Sequence, residues 1–218
     1  YDFEGINLFI GSSNNEEVCG DGMVLATDYF REQGIRFYAV IDEGGAITEG
    51  QIPGVTCKSA VVAVHEKSRH LFRCKAEIES KGHGGFGGVK DSAIERLSRF
   101  IAEVSDKKDK IYKGTFYPEV RATFERHVPY MSFPMNFLFE NIGLFAPVIK
   151  KIMMGIPAAS AMLSTGLSFT TMSAGDSRDP QIRAKTAETT MFLRCVREGD
   201  LYAGLEKIRE IGKRYGVT

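Results

Sequence analysis

The chain has 218 residues, in which 28 lysines and arginines balance 28 aspartates and glutamates. That length suits one large domain or two small ones with a real core. The balanced charge argues against a nucleic-acid partner or an anionic membrane surface.

No run of about 20 uncharged apolar residues appears, so a spanning helix is not expected. The nearest candidate, 136–163, is broken by Glu140, Lys150, Lys151 and two prolines. Cys19, Cys57, Cys74 and Cys195 lie far apart with no CxxC pair, a pattern of reduced thiols from which a cytoplasmic location is expected. No signal-peptide pattern is read. The chain opens on Tyr1 in what reads as the run-up to a strand, and it is expected to be a piece of a longer protein.

In chain order, "INLFIG" (6–11) and "RFYAVIDEG" (36–44) are short apolar runs on either side of a helical stretch near 21–33. Strand, helix, strand at that spacing predicts a βαβ unit in a buried parallel sheet. "HLFRCKAEIES" (70–80) then alternates. Leu71, Arg73, Lys75, Glu77 and Glu79 share one side, and Phe72, Cys74, Ala76 and Ile78 the other. This predicts an antiparallel strand with one wet face. The turn "KGHGGFGG" leads into a helix whose inner side carries Val89, Ala93, Leu97, Ile101 and Val104. A less regular apolar region follows over 130–160. "LSFTTMSAG" and "AETTMFLRCV" read as two more strands, and Leu201, Leu205, Ile208 and Ile211 mark a last helix over 200–214. The expected fold is therefore α/β plus α+β. Residues 1–68 form part of a parallel α/β domain, and 69–218 form an antiparallel-sheet domain of β-α-(insert)-β-β-α order with two helices on it.

Gly82, Gly84 and Gly87 satisfy GxGxxG before a helix. The strand before them alternates, whereas a dinucleotide-binding first strand is buried on both faces, so the turn reads as a flexible strand-to-helix connection. His83, flanked by glycine, is a loop imidazole within reach of a ligand or simply an exposed one. Glu16-Glu17 and Asp42-Glu43 close the two runs of the βαβ unit. Ligands gather at such strand ends, and the carboxylates would supply hard oxygen donors to a divalent metal, with one acid left as a base. The alternative is that Glu16 and Glu17 only favour a helix N-terminus.

The order "NNEEVCG…VIDEGGAI…VHEKS…KGHGGFGG" resembles the two-zinc aminoacylase and Gly-Xaa carboxypeptidase family, which includes succinyl-diaminopimelate desuccinylase-like enzymes. "PQIRAKTAETTMFLR" followed by "EGD" fits that family's later lid strands. The resemblance implies a ferredoxin-like lid (dimerisation) domain after a partial catalytic domain. By position, Glu16 matches the general base, Glu17 a zinc ligand and Glu43 a ligand of the second zinc, with Asp42 beside it. His83 matches the lid histidine that stabilises the oxyanion in the partner subunit's site. Arg194 matches the arginine that holds the substrate carboxylate, and Gln181 stands where the family has a substrate-binding asparagine. The implied protein is a homodimeric amide hydrolase using two divalent ions, zinc by that resemblance, on a small peptide or an N-acyl amino acid, and this chain is expected to hold only part of each metal site. Gly84-Gly85 replaces the family's Ser/Ala-Ser, which is expected to loosen the turn around His83. A second reading is a catalytically degenerate member that serves for dimerisation or ligand binding.

Overall fold

A computed structural model describes residues 5, 7–14, 20–42, 45–63, 65–79, 82–85 and 91–218, with the side chains of 157 and 158 left aside. Contacts divide the chain into Tyr1–Gly44 and Gly45–Thr218.

In the first unit, α1 spans Gly22–Glu32 and ends before Gly34, whose φ of 68° stops the helix. Phe9 and Phe37 meet Phe30 of α1 edge-to-face, with ring centroids 5.3 and 4.9 Å away. The two flanking runs thus converge on the helix, but they are not strands. Residues 7–13 and 35–42 have irregular backbone, with Ile10 88% and Ile41 96% exposed. A parallel strand is stable only between neighbours that complete its ladder and layers that cover both faces. One eleven-residue helix with no buried residue supplies neither.

The second unit opens with a short antiparallel pair, β1 (Ala46–Thr48) with β2 (Ser59–Val61). Its main sheet is antiparallel. β3 (Ser68–Glu77) and β4 (Gly166–Ala174) both pair with β5 (Thr186–Cys195), giving the order β3-β5-β4. β3 and β4 therefore run parallel with β5 between them, the split βαβ of a ferredoxin-like domain. Val217 bridges Ala76, and Thr218 exchanges backbone hydrogen bonds with Lys75 at 2.8 and 2.9 Å, so the chain's last residues lie along the outer edge of β3.

The alternation in β3 is realised as expected: Cys74 and Ala76 are buried, while Leu71, Arg73 and Glu77 are exposed. β5 does the same with Ala187, Thr189, Met191, Leu193 and Cys195 inside. Two helices cover that inner face. α2 (Ala93–Ile111) is capped by Ser92, whose hydroxyl accepts from Glu95 N–H at 3.1 Å, and it buries Leu97, Phe100 and Val104. α7 (Glu198–Tyr215) buries Leu201, Leu205, Ile208 and Ile211, with acids in its first turn and bases in its last. Full burial of a side chain such as Phe100 contributes roughly 1.5–3 kcal/mol.

The region 130–160, expected to be irregular, is largely helical. α3 (Pro118–His127), α4 (Met135–Glu140), α5 (Ile142–Met154) and α6 (Pro157–Leu163) build a second core around Phe124, Phe139, Ile149 and Met153. Phe124 and Phe139 stack at 4.8 Å. α5 is apolar on two sides: Ile142, Ile149 and Met153 point inward while Leu144, Val148 and Ile152 are exposed, so the sequence shows no contrast between faces. Arg197 at the start of α7 holds Glu119 of α3 at 2.7 Å, tying the insert to the sheet domain. No described helix is long and apolar enough to cross a membrane.

Two packing features carry predictions. A Cβ on Gly204 of α7 would fall 2.0 Å from the ring of Tyr112, which is buried at the end of α2. Gly204→Ala should destabilise the chain by about 1–3 kcal/mol, read as a lower urea midpoint. Glu103 of α2 takes hydrogen bonds from Lys107, from Tyr215 and from Arg214 of α7. Those from Lys107 and Tyr215 lower its pKa most, to about 2 from 4.5. A depressed carboxylate stabilises the fold above its unfolded value, and that stability is lost as pH falls through the folded one. The urea midpoint should therefore drop between pH 4.5 and about 2, and drop less in Glu103→Gln.

Candidate functional site

Glu16, Glu17 and Glu43 lie outside the described residues. Asp42 is described and exposed, in irregular backbone. Among the described residues no three His, Cys, Asp or Glu side chains gather as a metal site would require. The described donor set therefore does not by itself hold the expected ions.

The structure brings His83 and Gln181 together. His83 forms an isolated antiparallel bridge with Ile182, Gly84 N–H donates to the Gln181 carbonyl at 2.7 Å, and Arg183 N–H donates to the Gly82 carbonyl at 3.2 Å. This short ladder sets the imidazole beside the Gln181 side chain, with Nε2 3.0 Å from Oε1. At the other nitrogen, Gly85 N–H donates to Nδ1 at 3.0 Å. A backbone N–H can only donate, so Nδ1 carries a lone pair and the neutral ring bears its proton on Nε2. That proton is aimed at the Gln181 amide oxygen.

Glycine suits this turn both in backbone angle and in space. Gly82 has φ +39°, and a Cβ there would lie 2.3 Å from the Arg183 guanidinium. A Cβ on Gly84 would come within 3.1 Å of the Gln181 carbonyl, and one on Gly85 within 3.1 Å of His83 Nδ1. The glycines therefore let the two segments close on each other. Across Gly84-Gly85 the exposed imidazole makes a hydrogen bond at each nitrogen. Arg183 lies against Gly82 and donates through Nη1 to the Asp91 carbonyl at 3.1 Å, and Asp91 is ion-paired with Arg96 at 2.6 Å. Neither Arg183 nor Asp91 stood out in the sequence, because their role is to seat the turn and no motif spacing reports that.

Arg194 sits on the outer face of the central strand, opposite Arg69 of β3 and Gly166 of β4. Its Nη2 donates to Glu66 Oε1 at 2.8 Å, while its Nε is buried without a partner. Next to Glu66, Lys67 reaches the Ser164 carbonyl at 2.6 Å. Burial, and then the Arg194 guanidinium, lower the Lys67 pKa. Arg194 thus already receives a carboxylate at a partly exposed position. Glu66 was not singled out in the sequence beyond the "VHEKS" string; its charge opposite to that of Arg194 was the available signal, but only the fold joins positions 66 and 194.

The N-fatty-acyl-amino acid synthase/hydrolase PM20D1 of Mus musculus is 26% identical over 171 residues, covering 78% of this chain and 33% of that protein. A Dictyostelium discoideum protein named "Probable carboxypeptidase S-like 2" is 26% identical over 176 residues, covering 78% of this chain and 32% of its own length. The chain thus spans about a third of the length of the curated relatives it matches. Among solved structures, an M20 family metallo-carboxypeptidase, Sso-CP2 from Sulfolobus solfataricus, aligns with a TM-score of 0.43 at 15% identity, over 88% of this chain and 51% of that one. The family model described as the peptidase dimerisation domain matches residues 65–216, and with more than half its length so matched the chain belongs to the M20 peptidase dimerisation domain family.

Proposed function

We propose that this chain is the dimerisation-domain portion, with an adjoining piece of the catalytic domain, of a metal-dependent hydrolase that cleaves an amide bond next to a residue with a free carboxylate. The observation that carries the reading is the held Nε2–H of His83, facing Gln181 in the turn where the family resemblance expects the oxyanion donor. Arg194 supports it, because its guanidinium already accepts a carboxylate partner in Glu66 and would exchange it for the substrate's.

Glu16 takes a proton from the attacking water and delivers it to the leaving amide nitrogen. His83 donates from Nε2 to the oxygen on which charge develops. Arg194 fixes the substrate by its carboxylate. Glu17 and Glu43 would each contribute to one of two divalent sites, zinc in this reading, completed by residues outside this chain. When bound, such ions lower the pKa of a shared water and polarise the scissile carbonyl.

The substrate class is a dipeptide or an N-acyl amino acid, and the names of the relatives favour a fatty acyl group. A homodimer would form through the lid. The outer edge of β4 has no strand against it among the described residues, and Met172 there is exposed, which suits pairing between two copies. A cytoplasmic location remains a proposal that rests on the scattered cysteines. Departures from the family pattern at Gly84-Gly85, beside His83, and at Gln181 sustain a second reading, a catalytically degenerate member that binds or dimerises without turnover.

The test is hydrolysis by the full-length protein, supplied with zinc or cobalt, of a panel of dipeptides, short N-acyl amino acids and N-fatty-acyl amino acids. Glu16→Gln should lower kcat by about a hundredfold or more. Arg194→Ala should raise KM for carboxylate-bearing substrates far more than it lowers kcat. A folded, metal-loaded protein inactive on the whole panel would overturn the hydrolase in favour of the binding reading.

A further inference from the structure

We propose that Gln181 is a positioning residue for His83 and not a contact to the substrate carboxylate, and that Gly85 N–H fixes His83 as a neutral Nε2–H donor. The inference rests on the catalytic reading of His83 given above.

The two nitrogens are treated differently by the fold. Nδ1 faces a donor that has no alternative role, the backbone N–H of Gly85 at 3.0 Å. Such a contact excludes a proton on Nδ1, so the ring needs no positive charge to present a hydrogen from Nε2. Gln181 Oε1 receives that hydrogen at 3.0 Å and thereby sets the rotation of the ring. The Gln181 backbone is itself clamped, since its carbonyl takes the Gly84 N–H at 2.7 Å. The side chain that orients the imidazole is thus mounted on the same ladder that holds the imidazole's own turn.

The residue here is a glutamine in place of the shorter asparagine. It carries the same amide on one more methylene, and the reach of 3.0 Å to Nε2 is made with the longer arm. In the resting state the Nε2–H is given to the amide oxygen, and in the reaction it would be given to the developing oxyanion. A charged oxygen forms a hydrogen bond roughly twice as strong as a neutral amide does, so it displaces Gln181 as the reaction proceeds, with no proton changing owner. His83 is then already rotated and already in the required tautomer.

The tautomer can be read without turnover. In the 218-residue chain labelled with nitrogen-15, two-bond proton–nitrogen correlation spectra should show His83 protonated at Nε2 and unprotonated at Nδ1. Gln181→Ala should keep that tautomer, because Gly85 still holds Nδ1, but its Hε2 should exchange at least tenfold faster. Gln181→Glu, which restores an acceptor on the same length of chain, should restore the slower rate. In the full-length enzyme Gln181→Ala should lower kcat by about tenfold to a hundredfold, with KM for the same substrate changed less than about twofold.

A proton on Nδ1 in the unmodified chain, or unchanged Hε2 exchange in Gln181→Ala, would overturn the inference. A raised KM at constant kcat would also overturn it, by making Gln181 a substrate contact. Full activity in His83→Ala would instead remove the catalytic role assigned to His83, and the spectra alone would then decide whether the ring is held as described.

Discussion

The second unit depends on the central position of β5. Among the described strands it alone has a ladder on both sides, paired with all of β3 and most of β4. Its alternate residues, from Ala187 to Cys195, form the floor on which α2 and α7 pack. A strand so constrained has one possible register, because a slip by one residue would turn Met191 and Leu193 to the outside and Arg194 into the core. The position of Arg194 on the outer face is therefore a consequence of core packing and not a separate arrangement. The same strand begins just after the segment that meets His83, so the chain that orders the core also delivers Gln181 to its partner.

The glycine turn is the second constraint, and it acts through space more than through flexibility. Positions 82, 84 and 85 each place a missing Cβ close to a neighbour: a guanidinium, a carbonyl or the imidazole itself. Small residues here permit closeness, and closeness holds the ring by both nitrogens. Turns of this composition are easily read as phosphate loops. The hydrogen bonds show a different use, in which the Gly85 N–H is aimed at the His83 imidazole and the Gly84 N–H at the Gln181 backbone carbonyl.

Much of the lid was legible in the sequence because its elements each have one wet and one dry face. Strands β3 and β5 alternate with period two, and α2 and α7 repeat Leu97, Phe100, Val104 and Leu201, Leu205, Ile208 at helical spacing. The insert helices were not legible, since α5 is apolar toward the core and toward solvent alike. The runs at 6–11 and 36–44 look like strands by composition, but a strand needs a ladder that composition cannot supply. For the site, residue types suggested candidates one at a time. The pairing of positions 83 and 181, or of 66 and 194, is a property of topology, and no local spacing encodes it.

In the proposed homodimer His83 of one subunit would serve the active site of the other, where Glu16 would act as base. Mixed dimers of the full-length protein test it most directly. Glu16→Gln and His83→Ala subunits, each inactive alone, would be unfolded together, refolded and assayed against the pure variants. A mixed dimer has one site in which both residues are intact. The account predicts that turnover returns on mixing, to about a quarter of the unmodified level for random association with equal amounts of each. No recovery, with mixed dimers verified by mass spectrometry, would contradict it.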